Sequence, residues 1–209
     1  IGVLNQLRTL DPESVIICIA KDIAWPYNTC FLADYLSGHK EHDQLLLKPK
    51  DFFEKQRIQL MLGTEVKKID RAQRTIMLED GQMLNYDTLF LGLGARARTL
   101  LIPGLEDCNE VFYFHTYEDA IYIKQCIAQK SVQHALVIGA GLSGLEIADS
   151  LTKNGIHCTI VEQSLQVLPH HADAQGSKKI QELALSHNAH IMTNERVVRV
   201  TAENGSVRM

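Results

Sequence analysis

The chain has 209 residues, 45% of them apolar, which suffices for one large or two small domains with a substantial core. A net charge of −4 and a pI near 6.1 give no electrostatic basis for binding nucleic acid or an anionic membrane surface. No apolar run reaches the length of a bilayer span and no signal-peptide pattern is present, and with five scattered cysteines offering no close pair a reducing cytoplasm is the expected setting.

Ile1 to Leu10 reads as a helix with no strand before it, so the chain is expected to be a fragment or the ordered part of a longer protein. Asp11-Pro12-Glu13 ends that helix. Ser14 to Ala20 is a continuous β-branched run of the kind a parallel sheet buries on both faces, and it reads as the second strand of a βαβ unit. After the turn Trp25-Pro26-Tyr27-Asn28, a short helix over Cys30 to Leu36 is stopped by Ser37-Gly38. The charged run from Glu41 to Lys50 reads as solvated surface, and Asp51 starts another helix whose later part can already be strand.

From Gly63 the pattern turns to β. Glu65 to Asp70 and Thr75 to Glu79 alternate, Asp80-Gly81 is a hairpin signal, and Tyr86 to Leu93 reads as a buried apolar strand. Gly92 and Gly94 leave the end of that strand with little side-chain bulk, which suits a tight turn or the close approach of a ligand equally well. Arg96 and Arg98 follow, and read unaided as surface charge. Thr116, with Asp119 three residues on, marks the start of a helix running to about Gln129, so a domain boundary falls between Pro103 and Thr116.

The most informative stretch is HALVIGAGLSGLEIADSLTKNGIHCTIVE, which holds an apolar strand, three spaced glycines, a helix and a second strand. Gly139, Gly141 and Gly144 have the G-x-G-x-x-G spacing at a helix entrance. The first permits the tight turn, the second lets a pyrophosphate reach the backbone, and the third lets the helix pack close to the sheet. The amides of the helix start, at Leu142 and Ser143, then face the phosphates. Glu162 closes the second strand roughly twenty residues later, where an acid accepts the ribose hydroxyls of adenosine. With no arginine in the following Gln163-Ser164 to take a 2′-phosphate, the pattern favours NADH over NADPH. Beyond it, Asp173 to His187 reads as a helix, Ala189 to Met192 and Arg196 to Thr201 as strands, and Asn204-Gly205 as a hairpin turn.

The five cysteines are scattered with no C-x-x-C, and His170-His171 lacks partners at ligand spacing. Neither a disulfide framework nor a metal site is expected.

Three elements carry a family resemblance: VIGAGLSGLEIA with Glu162, YDTLFLGLGARARTLLIPG, and AWPYNTCFLADYLSG after the Ser14 strand. Together they resemble the FAD-dependent pyridine nucleotide-disulphide oxidoreductase superfamily, over the whole chain and in one register. The second element is similar to the A-T-G-x-x-P segment. The third is similar to the P-Y-N-R-P segment of the branch that holds ferredoxin and rubredoxin reductases and the flavin subunit of nitrite reductase.

The resemblance implies an α/β fold of two Rossmann-like domains, both incomplete here: an FAD domain over residues 1–108, interrupted by an NAD(H) domain over 109–209. Carried over by position, Gly139, Gly141, Leu142, Ser143, Gly144 and Glu162 bind NADH, and Glu146 approaches the nicotinamide carboxamide. Asn28 and Thr29 lie near the flavin, Val66 against the adenine, and Gly94, Arg96 and Arg98 near the FAD diphosphate. The chain departs from the pattern at Thr29-Cys30 for Arg-Pro, Leu93 for Thr, Ala97 for Pro, and Ala20 for the ribose acid of the flavin domain.

The implied activity is an NADH-dependent flavoprotein that hands electrons to a redox protein or small oxidant, with no side chain needed as a general base. A homodimer is left open. The alternative is a non-catalytic nucleotide-binding scaffold with a degenerate flavin site. A third idea, a flavin-free dehydrogenase, would have to use His157 or His170, and neither has a partner by sequence to fix its tautomer.

Overall fold

The computed structural model describes residues 1–130, 132–203 and 206–208. Packing divides the chain into two units, Ile1–Asn28 with His42–Ala95, and Thr29–Glu41 with Arg96–Met209. Thr29–Glu41, although flanked by the first unit in sequence, packs with helices of the second.

The first unit begins with helix α1 (Gly2–Leu10), followed by strand β1 (Ile16–Ile19). The Arg8 guanidinium fixes the helix in place. It donates to the carbonyls of Gln56 (2.8 Å), Asp11 (3.1 Å), Ser14 (3.0 Å) and Arg57 (3.1 Å), so one planar fork joins the end of α1 to the approaches of two strands. Strand β1 pairs in parallel with β2 (Ile58–Met61), with Ile16 opposite Ile58 and Ile19 opposite Met61. An antiparallel meander follows, of β3 (Val66–Asp70), β4 (Thr75–Leu78) and β5 (Met83–Asn85), its second turn made at Asp80-Gly81.

Two expectations fail in this unit. The run from Glu41 to Lys50 is not simply solvated: it holds a short helix, α2 (His42–Leu45), with Leu45 fully buried. Asn28 N–H donates to the Leu45 carbonyl (2.8 Å) and Leu47 N–H to that of Pro26 (3.0 Å), so the backbone holds Leu45 inward while Leu47 and the charges at the segment's ends stay out. A one-turn helix, α3 (Phe52–Lys55), then leads into β2 with Phe53 buried. The second failure is at Tyr86 to Leu93, which joins no ladder; Phe90 is 65% exposed and Leu93 81%. An apolar run becomes a buried strand only where a neighbouring strand takes its amides.

In the second unit a 3-10 turn (Thr29–Phe31) enters helix α4 (Leu32–Leu36). Helix α5 (Tyr117–Lys130) comes next in this unit, and then a β-α-β-α-β run follows: β6 (His134–Ile138), α6 (Leu142–Lys153), β7 (His157–Glu162), α7 (Ala174–Ser186) and β8 (Ala189–Thr193). The strands form one parallel sheet in the order β6-β7-β8, with Val137 opposite Ile160 and Ile160 opposite Ile191.

One face of this sheet makes the core, where Cys158, Ile160 and Ala189 meet Ala148 and Leu151 of α6 and Ile123 of α5. The Ser150 hydroxyl donates to Ala33 O (2.9 Å) and the Asn154 amide to Leu36 O (3.2 Å), which is how α4 becomes part of this unit. Arg196 to Val200, expected as strand, is irregular; Val200 N–H donates instead to the Pro103 carbonyl (2.9 Å), and a strand appears only at β9 (Thr201–Glu203), paired with β10 (Ser206–Arg208). The expected turn residues Asn204 and Gly205 lie outside the described residues.

Candidate functional site

The site is built at the carboxyl ends of β6 and β7. Gly139 N–H still donates to Val161 O (2.8 Å), continuing the ladder, and at φ +103° the chain then turns through a region closed to most side chains. Ala140 is fully buried, and Gly141 stands at the N-cap of the 12-residue helix α6 in extended conformation. Having no side chain, Gly141 leaves the first-turn amides of Leu142, Ser143 and Gly144 without a cap of its own. A β-carbon at Gly141 would meet nothing within 4 Å, whereas one at Gly144 would stand 1.9 Å from the Gly139 carbonyl oxygen. The turn is therefore closed on its inner side by protein and open on its outer side.

Glu162 faces this turn and is only 7% exposed. Its Oε2 accepts from Ala140 N–H (2.8 Å) and its Oε1 from Ser164 N–H (2.7 Å). Burial by itself raises the carboxyl pKa. The Ser164 and Ala140 amides, the Ser164 hydroxyl and the Gln163 amide outweigh it, and the group titrates below the ordinary glutamate range.

Gly139, Gly141, Leu142, Ser143, Gly144 and Glu162 thus converge at one end of one sheet, with Leu142 half-exposed and Ser143 exposed. Glu146 lies a turn further into α6 on the exposed side. The residues singled out for a flavin are distributed differently. Asn28, Val66 and Gly94 belong to the first unit, and Thr29, Arg96 and Arg98 to the second. Gly94, Arg96 and Arg98 are all exposed on the irregular segment. Sequence reasoning missed two contributors: Leu168, whose N–H donates to Ala140 O (2.9 Å), and Ser164. Nothing in the residue type of Leu168 signals this, since the contact is made by main chain at φ +48°. Among the described residues no group of three His, Cys, Asp or Glu could hold a metal.

A parallel β-α-β-α-β sheet with a glycine turn over a helix start, faced by an acid on the adjoining strand, defines a Rossmann-type α/β protein. The chain belongs to the pyridine nucleotide-disulphide oxidoreductase family, whose model matches residues 4–209. It is 30% identical over 212 residues to the NADH-dependent phenylglyoxylate dehydrogenase subunit epsilon of Aromatoleum evansii, covering 97% of this chain and 50% of that protein. It is 31% identical over 201 residues to rhodocoxin reductase of Rhodococcus erythropolis, covering 96% and 46%.

Among solved structures it resembles the ferredoxin reductase for the CYP199A2 system from Rhodopseudomonas palustris (TM-score 0.90, 27% identity, 98% of this chain and 50% of that one). It also resembles putidaredoxin reductase in its covalent complex with putidaredoxin (TM-score 0.89, 28% identity, 99% and 51%). The chain spans about half the length of the curated relatives it matches.

Proposed function

We propose that the chain serves an NADH-dependent FAD flavoprotein oxidoreductase, which takes electrons from NADH and passes them through flavin to a redox protein of ferredoxin type or a small acceptor. The observation that carries this is the outward-open glycine turn at the start of α6 with Glu162 beside it. The space over Gly141 is open, with nothing within 4 Å of where a β-carbon would stand, and the uncapped helix-start amides beside it suit a pyrophosphate. Family membership and the names of the relatives, NADH-dependent subunits and ferredoxin reductases, support the same reading.

In this reading the chain's own residues bind and orient. The amides of Leu142, Ser143 and Gly144, reinforced by the helix dipole, hold the pyrophosphate of NADH. Glu162 stands at the strand end where the acid of this pattern meets the adenosine ribose, and its charge disfavours a 2′-phosphate. Glu146 stands toward the nicotinamide carboxamide. By position in the family pattern, Val66 and Gly94 of the first unit, with Asn28, are assigned to FAD, and so are Thr29, Arg96 and Arg98 of the second, the two arginines being exposed cations. Nicotinamide and flavin, when bound, supply the hydride and electron chemistry. Among the described residues no helix is long and apolar enough to cross a membrane.

The test is calorimetric titration with NADH and NADPH, together with the visible spectrum and dye reduction of the gently isolated protein. Tighter binding of NADH, flavin absorbance and turnover support the reading. Binding without flavin or turnover would point to a nucleotide-binding scaffold instead.

A further inference from the structure

The peptide of Ala140 is gripped from both sides. Its N–H donates to Glu162 Oε2 at 2.8 Å, and its carbonyl accepts from Leu168 N–H at 2.9 Å. Glu162 is in turn held by its own main chain, since Glu195 N–H donates to its carbonyl at 3.0 Å, and its other oxygen takes Ser164 N–H at 2.7 Å. The Ser164 carbonyl accepts from Asn194 N–H at 2.8 Å. One buried carboxylate therefore links the β6-α6 turn to the β7-α7 crossover, and the crossover is anchored to the segment leaving β8.

A glycine turn with Gly139 at φ +103° has few constraints of its own, because glycine is the residue least confined by sterics. A buried hydrogen bond to a charged acceptor is among the stronger single restraints available to such a backbone. We propose that Glu162 is a positioning residue for the glycine turn: it fixes the Ala140 peptide in the unliganded protein, so that the helix-start amides are already aimed when a dinucleotide arrives. This deepens the NADH reading above and rests on it, but it assigns the carboxylate a task within the protein, separate from any contact with ribose.

Glutamine at this position keeps one carbonyl acceptor but presents an NH2 group to the other amide, so one of the two partners is lost. Amide exchange followed by NMR on the unliganded 209-residue chain, wild type against Glu162→Gln, tests the claim directly. We expect exchange at Ala140 or Ser164 to accelerate by about tenfold or more, the equivalent of one charge-assisted bond, with Cys158 and Ile160 in the same sheet unchanged. In calorimetry, ADP and 2′,3′-dideoxy-ADP should weaken by the same factor. Glu162→Asp, which keeps the charge on a shorter stem, should fall between the two proteins and is read in the same way if the glutamine variant does not fold.

Unchanged exchange at both amides overturns the proposal. So does a loss of affinity confined to ADP with the dideoxy analogue unaffected, which would make Glu162 a ribose contact only. If the wild type binds neither ADP nor NADH, the NADH reading fails, while the exchange measurement still decides whether the carboxylate fixes the turn.

Discussion

The carbonyl oxygen of Gly139 occupies the place where a side chain at Gly144 would begin, 1.9 Å from an ideal β-carbon. Two glycines five residues apart are thus required by each other: the first turns the strand out, and the second lets the helix close over it. Gly144→Ala should destabilise the fold by about 1 to 3 kcal/mol, since the gain of about 1 kcal/mol in helix propensity is smaller than the overlap it creates. Denaturant unfolding measures it, and a neutral result would mean that the turn is not closed in this way.

Gly141 makes the opposite prediction. Its backbone is extended (φ −78°, ψ −176°) and open space surrounds it. Gly141→Ala should leave stability within about 0.5 kcal/mol of wild type while weakening NADH by about tenfold or more. An alanine variant that binds as well as wild type would remove the pyrophosphate from this position.

The Glu162 carboxyl titrates below its ordinary value of 4.5, so the folded state binds its proton less readily than the unfolded chain does. Its stabilisation is complete above the unfolded-state value and is lost as the pH falls through the folded-state value. The difference in unfolding free energy between wild type and Glu162→Gln should therefore be level near neutrality and shrink below about pH 4.5. Asp11 and Glu65, also depressed, act alike in both proteins and cancel in the comparison.

Thiol labelling should follow burial. Cys30 is exposed, whereas Cys158 is buried in the sheet and its pKa is pushed up to about 11. At pH 8 on the order of a thousandth of Cys158 is thiolate, so an alkylating reagent should modify Cys30 first and Cys158 only on unfolding. Peptide mass mapping over time gives the order.

Thr116 and Asp119 cap α5 reciprocally. Asp119 N–H donates to Thr116 Oγ1 (3.1 Å) and Thr116 N–H to Asp119 Oδ2 (2.8 Å). Thr116→Ala should cost about 1 kcal/mol in thermal or urea unfolding.

That cap was legible in the sequence because both partners lie within one helical turn, and the same holds for the β6-α6-β7 run, whose signals are local. The contact of Glu162 with Ala140 was not, since it joins residues 22 positions apart through a backbone amide that any residue would supply. Leu45 was misread because the charges around it dominate the local average, while its burial goes with main-chain bonds from Asn28 to Leu45 and from Leu47 to Pro26. The placement of Thr29–Glu41 with α6 likewise rests on Ser150 and Asn154 reaching the carbonyls of Ala33 and Leu36, more than a hundred residues away in sequence.

The ribbon from Tyr86 to Leu101 has a practical consequence. It displays Phe90, Leu91, Leu93 and Leu101 at 65, 55, 81 and 96% exposure, on backbone enrolled in no sheet. Apolar and exposed, such a strip is a nucleus for clumping between molecules. Concentrating the isolated chain should cloud it well before a globular protein of its charge would precipitate, and a lysine at Leu93 should keep the solution clear.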